Sequence, residues 1–216
     1  MAQTSKILFT LHLFLFTLFS PSIFSQKVAL VLSGGGARGA AHIGVIRALE
    51  EQHVPIDYVV GTSIGAIVGA LYAIGYTPDE MEQLMDSPEF SKWVAGVIDE
   101  KYRYYFWKDD PNASWVSLDF NPKKKLTTVL PTSLINPFEI DFEFMRLFDP
   151  ASAAAGYDFN NLMVPFRCVV ADIDSTQIMV MRNGNLSTAV RGSMSIPLIF
   201  NPLRYKDKLL FDGGMY

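Results

Sequence analysis

Cysteine is almost absent from the 216-residue chain. The single residue, Cys168, rules out an internal disulfide and a cysteine-based zinc site. Histidine is nearly as scarce, with His12, His42 and His53 and none later. That excludes the arrangement in which a catalytic histidine follows the serine and the acid late in an α/β hydrolase chain. Positive charge is also short: 18 Lys and Arg stand against 22 Asp and Glu, a net charge of −4. Nothing in that balance favours nucleic acid as a partner. Internal repeats are missing, and the length suits one α/β domain with a sizeable core.

The first 25 residues differ from the rest. They carry one lysine (Lys6), no acid, and an apolar run from Ile7 to Phe19 broken only by Thr10, His12 and Thr17. The run is short for a membrane span. With Ser20-Pro21 behind it and Ser25 as a cleavage point, residues 1–25 read as a secretory signal peptide and 26–216 as the mature domain. Cleavage would leave 17 basic against 22 acidic residues.

The mature chain alternates strands and helices, which predicts a doubly wound, mostly parallel sheet. Val28 to Leu32 reads as a strand buried on both faces. The loop Ser33-Gly34-Gly35-Gly36-Ala37-Arg38-Gly39 follows, then a helix with Ile43, Ile46 and Leu49 on one side. A second strand is expected over Val54 to Val60 and a helix over Ile64 to Ile74, stopped by Gly75. Thr77, Pro78 and Glu80 open another helix with a capping box. Residues 99–136 read as an irregular excursion, with aromatics such as Tyr104 and Trp107 and the run Lys123-Lys124-Lys125. Pro137 to Phe148 is expected to be helical, with Phe138, Phe142, Met145 and Phe148 as its apolar set. Pro165 to Ala171 reads as a buried strand, and Gln177 to Asn185 as a hairpin turning at Asn183-Gly184. A short helix over Leu186 to Met194 and a strand over Leu209 to Phe211 complete the order.

Between the second strand and its helix lies Gly61-Thr62-Ser63-Ile64-Gly65, the pattern of a nucleophile elbow. A sharp strand-to-helix turn lifts the Ser63 hydroxyl out of the sheet. Gly61 and Gly65 remove Cβ atoms where strand and helix cross. A nucleophilic serine needs a base and an oxyanion site. His42 falls inside the first helix and His53 near the surface, so either the serine is inert or its base is not histidine. Asp212, at the end of the last strand and followed by Gly213-Gly214, is the strongest candidate base. Gly34, Gly35 and Gly36 offer unobstructed N–H groups at a helix start, suited to an oxyanion or a phosphate. Arg38 adds positive charge or pins the loop. The loop lacks the Lys-Ser/Thr of a P-loop. Gly34, Gly36 and Gly39 match dinucleotide spacing, but no acidic residue ends the second strand.

Ser33–Gly39, Gly61–Gly65 and Asp212–Gly214, in that order, resemble the patatin-like phospholipases of the bacterial, secreted type. Ala189 to Pro197 is similar to the segment that precedes the family's Asp-Gly-Gly. The resemblance covers about residues 27–216 and implies an α/β three-layer sandwich with a mostly parallel central sheet. It further implies a lipid acyl hydrolase with a Ser63–Asp212 dyad, an oxyanion loop at Gly34, Gly35, Gly36 and Arg38, and no metal or other cofactor. The implied partners are a phospholipid or other acyl lipid and a membrane surface, in the periplasm, outer membrane or outside the cell. The alternative is a secreted lipid-binding module that keeps an inactive patatin-like fold. Family domains continue beyond Asp-Gly-Gly, so the expected domain is truncated at its C-terminal end.

Overall fold

The computed structural model describes residues 26–98, 117–119, 127–129 and 133–216. The signal peptide expected over 1–25, and most of the aromatic and lysine-rich stretch 99–136, lie outside these residues.

Six strands form the main sheet: β1 (Ala29–Leu32), β2 (Tyr58–Thr62), β5 (Phe166–Asp172), β6 (Gln177–Met181), β7 (Leu203–Tyr205) and β8 (Lys208–Asp212). Two three-residue strands, β3 (Ser117–Asp119) and β4 (Thr127–Val129), pair antiparallel as a separate ribbon. β1, β2 and β5 run parallel, with β1 at the edge and β2 and β5 inside the sheet. β6, β7 and β8 join antiparallel. The helices are α1 (Ala40–Glu51), α2 (Ile64–Ala73), α3 (Pro78–Met85), α4 (Pro88–Ala95), α5 (Phe138–Ala154) and α6 (Leu186–Ser193).

The pairing around β5 decides where chemistry can occur. β2 pairs with Phe166 to Val169, and β6 with Cys168 to Asp172. These ranges overlap, so β2 and β6 occupy opposite edges of β5. β8 pairs with Val170 to Asp172, which β6 already takes on its own edge. β8 therefore lies on the β2 edge, beginning where β2 stops. The two strands run in opposite directions, and their C-terminal ends meet: Thr62 opposite Val169, Asp212 opposite Val170.

Small residues bring helices close to this sheet. A Cβ on Gly69 of α2 would meet Val59, Phe166 and Leu32 side chains, and one on Gly192 of α6 would meet Leu203, Leu210 and Val170. Both helices thus press on the same face. Leu32, Val59, Phe166, Cys168 and Val170 are buried beneath them, joined by Ile140, Phe144, Phe148 and Phe159. Burial of each large apolar side chain contributes about 1.5–3 kcal/mol. On the opposite face Val31 is 71% exposed, and Ile178 and Val180 are also open. α2 and α6 do not cover that face.

Several expectations need correction. β1 was expected to be buried on both faces. It is an edge strand, and only Leu32 of its four residues is fully buried. β2 begins at Tyr58 rather than Val54 and runs on to Thr62. α5 continues through Pro150 to Ala154. Its buried stripe is Ile140, Phe144 and Phe148, while Phe138, Phe142 and Met145 are exposed. Both stripes have helical spacing, so periodicity alone could not choose between them. The hairpin is β5–β6, turning over residues 173–176. Asn183-Gly184 instead returns to the end of α5, where Gly184 N–H donates to the Tyr157 carbonyl. β7 was not anticipated. The α3 capping box is present in full: the Glu80 N–H donates to Thr77 Oγ1, and the Glu80 carboxylate accepts from the Thr77 N–H.

Candidate active site

β2 ends in an abrupt reversal. Ser63 has φ 55° and ψ −125°, a left-handed conformation that costs a non-glycine residue about 1–3 kcal/mol and persists only when its surroundings fix it. α2 begins at the next residue, so Ser63 sits at the positive end of that helix. Its carbonyl accepts from the N–H groups of Ala66 and Ile67. The glycines on either side allow the turn. A Cβ on Gly61 would come within 2.4 Å of the Gly65 carbonyl oxygen, and one on Gly65 within 2.3 Å of the Leu32 carbonyl oxygen. No side chain fits at either position.

The glycine loop lies directly against this elbow. A Cβ on Gly34 would stand 3.2 Å from Ser63 Cβ. Among the described residues, nothing accepts from the N–H groups of Gly34, Gly35 or Gly36. The loop closes into a 3-10 turn over Gly36–Gly39, with the Arg38 N–H donating to the Gly35 carbonyl at 3.3 Å. The Arg38 side chain is exposed, so its backbone and not its guanidinium closes the loop. His42, in the first turn of α1, meets the Ser33 carbonyl through Nε2 at 2.9 Å and ties the loop to the helix.

Asp212 ends β8 beside this elbow. It is 7% exposed and Ser63 is 6% exposed. A Cβ on Gly213 would come within 2.4 Å of the Val169 carbonyl and 3.1 Å of the Thr62 methyl, so the strand ends touch. Gly214 N–H donates to Asp212 Oδ1 at 2.8 Å, which fixes the carboxylate and leaves Oδ2 without a partner among the described residues. No hydrogen bond joins the Ser63 hydroxyl to Asp212 in this structure.

Cys168 lies beneath the site, fully buried, with its thiol donating to the Ala189 carbonyl. Burial pushes that thiol up to about 12, and the negative charge of Asp212 adds to the shift. It holds no thiolate near neutral pH and is not a competing nucleophile.

Two residues escaped sequence reasoning. The N–H of Ser63 donates to Ser193 Oγ at 2.8 Å, and the Ser193 hydroxyl donates to the Val169 carbonyl at 2.6 Å. Arg191, 4% exposed, reaches Asp141 through Nε at 2.5 Å and Ser195 Oγ through Nη1 at 2.7 Å. The only available signal was a basic residue and two serines in the small-residue stretch Ala189 to Pro197.

A glycine loop, a serine elbow and a strand-end aspartate converge at one end of a sheet with a parallel centre. They define an α/β domain of the serine-elbow class. The profile described as patatin-like phospholipase matches residues 30–216, and the chain belongs to that family. It is 34% identical over 191 residues to patatin-like phospholipase domain-containing protein 6 of Mus musculus, a match covering 88% of this chain and 12% of that protein. Lysophospholipase NTE1 of Pyricularia oryzae is 34% identical over 190 residues, 88% of this chain and 10% of that one. The chain thus spans about a tenth of the length of these relatives. Among solved structures, VipD from Legionella pneumophila matches with a TM-score of 0.55 at 14% identity, over 88% of this chain and 46% of that one, a likeness in fold alone.

Proposed function

We propose that the protein hydrolyses carboxylic ester bonds of lipids, with Ser63 as nucleophile and Asp212 as its base. The observation that carries this reading is the meeting of two strand ends on one edge of β5, a strained serine on one and a buried aspartate on the other. Family membership and the lysophospholipase named among the relatives support a phospholipid or lysophospholipid as the substrate class.

The Asp212 carboxylate accepts the proton of Ser63 Oγ as that oxygen bonds to the ester carbonyl carbon. Negative charge moves to the carbonyl oxygen, where the N–H groups of Gly34 to Gly36 receive it. Donors of this kind are worth about 3–4 kcal/mol each in comparable sites. Collapse breaks the ester bond, and the leaving alcohol takes the proton held by Asp212. Water then gives a proton to Asp212 and attacks the acyl-serine. The proton returns to Ser63 Oγ as the fatty acid leaves. Arg38, exposed on the same loop, supplies positive charge toward an anionic headgroup or a membrane surface.

The charge pattern of residues 1–25 supports export of the bacterial secreted type, to the periplasm, outer membrane or medium. An N-terminal sequence of the mature protein beginning at Gln26 is expected, and an intact Met1 would reject export. The chemistry is tested by fatty-acid release from phospholipid and lysophospholipid vesicles. Ser63→Ala and Asp212→Asn are each expected to abolish release without unfolding the chain. Turnover retained in either pure variant would reject the dyad.

A further inference from the structure

We propose that the turn at the end of α6, residues Arg191 to Ser195, is a brace that positions both Ser63 and Asp212. It rests on the hydrolase reading above.

One side chain and one main-chain carbonyl of this turn reach the two halves of the site. Ser193 Oγ accepts from the N–H of Ser63 itself and donates to the carbonyl of Val169, the β5 residue opposite the end of β2. One hydroxyl thus ties the elbow to the strand that both site strands share. Two residues on, the Ser195 carbonyl accepts the Asp212 N–H at 3.0 Å. The nucleophile and the base are therefore held by atoms two residues apart on one short turn. They cannot shift independently while that turn is rigid.

Arg191 makes it rigid. Its guanidinium is a planar fork of fixed donors. Nε reaches Asp141 on α5, Nη1 reaches Ser195 Oγ, and Nη2 reaches the Asn201 carbonyl at 3.3 Å. The ring of Phe200 lies 5.1 Å from the guanidinium carbon. Ser195 Oγ in turn donates to the Arg191 carbonyl at 3.0 Å. Ser193 and Ser195 are both fully buried, which shields their hydroxyl bonds from water. Because the Ser63 N–H is committed to Ser193, oxyanion donors must come from the glycine loop and the start of α2. Ser193 touches no reacting atom and acts through the elbow. It is a positioning residue.

The test uses the full chain and a soluble p-nitrophenyl acyl ester, comparing wild type, Ser63→Ala, Ser193→Ala and Ser193→Thr. Folded fraction is read by circular dichroism at the assay temperature. The brace predicts that Ser193→Ala loses about tenfold or more in kcat with KM within about twofold, because misplacement by a fraction of an ångström acts on the chemical step. Ser193→Thr keeps the hydroxyl and recovers most of the loss. Fluorophosphonate labelling of Ser63 slows in parallel with kcat. A Ser193→Ala enzyme as fast as wild type, or one changed only in KM, would overturn the brace alone. So would a threonine variant as slow as the alanine variant at equal folded fraction. A folded wild type without ester turnover would overturn the hydrolase reading, and the brace with it.

Discussion

Gly34 stands against Ser63 so closely that a methyl group at position 34 would come within 3.2 Å of the serine Cβ. That spacing is tighter than ordinary contact, and the loop carrying the N–H donors would have to lift to relieve it. Gly34→Ala is expected to fold and to lose about tenfold or more in kcat, with a smaller change in KM. Steady-state kinetics beside a thermal melt checks this. A variant with unchanged kcat would show that the loop does not act on the reaction.

Gly65 lies under a harsher constraint. Its Cβ would meet the Leu32 carbonyl oxygen at 2.3 Å, and backbone cannot move aside as a side chain tip can. Gly65→Ala should destabilise the fold by at least the 1–3 kcal/mol typical of overpacking. Urea titration reads this directly, and a midpoint equal to wild type would contradict the close crossing of β1 and α2.

Acid should weaken the fold through Asp172. The ammonium of Lys208 and the hydroxyl of Ser175 hold its carboxyl below the usual carboxylate range. A depressed folded-state value means that the stabilisation is present above the unfolded value, near pH 4, and is lost as pH falls through the folded value. Urea midpoints from about pH 6 down to about pH 3 should fall in wild type and fall less steeply in Asp172→Asn. Parallel curves would remove Asp172 from the acid response.

The buried thiol gives a quick control. Cys168 is fully buried, and its thiol stays protonated well past neutral pH. Iodoacetamide at pH 8 should leave ester turnover unchanged in the native protein and modify Cys168 only after urea is added. Rapid native modification would place the thiol at an open surface.

What could be read from sequence followed from how local each signal is. The elbow needs Gly61, Ser63 and Gly65 within five residues, and the α3 cap needs Thr77 and Glu80 within four, so both were legible. The α/β order was legible for the same reason, since each unit is a strand followed at once by its helix. Choices between two locally equivalent patterns were not. Phe138, Phe142 and Met145 have helical spacing just as the stripe that α5 buries does, and only tertiary packing selects Ile140, Phe144 and Phe148. Asn183-Gly184 has hairpin chemistry, but the register of β6 on β5 places the turn earlier. Ser193 was illegible as a partner of Ser63 because the bond spans 130 residues. Asp212 was a candidate by elimination, since no histidine follows Ser63, and the structure places it at the strand end beside the elbow.

The shared edge of β5 also orders events in time. During synthesis the serine elbow emerges early and can form on β1, β2 and α2. Asp212 belongs to β8, made after β5, and has its place only once Val170 to Asp172 of β5 have accepted that strand. A nascent or partly unfolded chain therefore carries Ser63 without Asp212 beside it. Any reaction that needs both groups is withheld until the β5–β8 pairing has closed, itself resting on a β2–β5 pairing that spans more than twice as much chain.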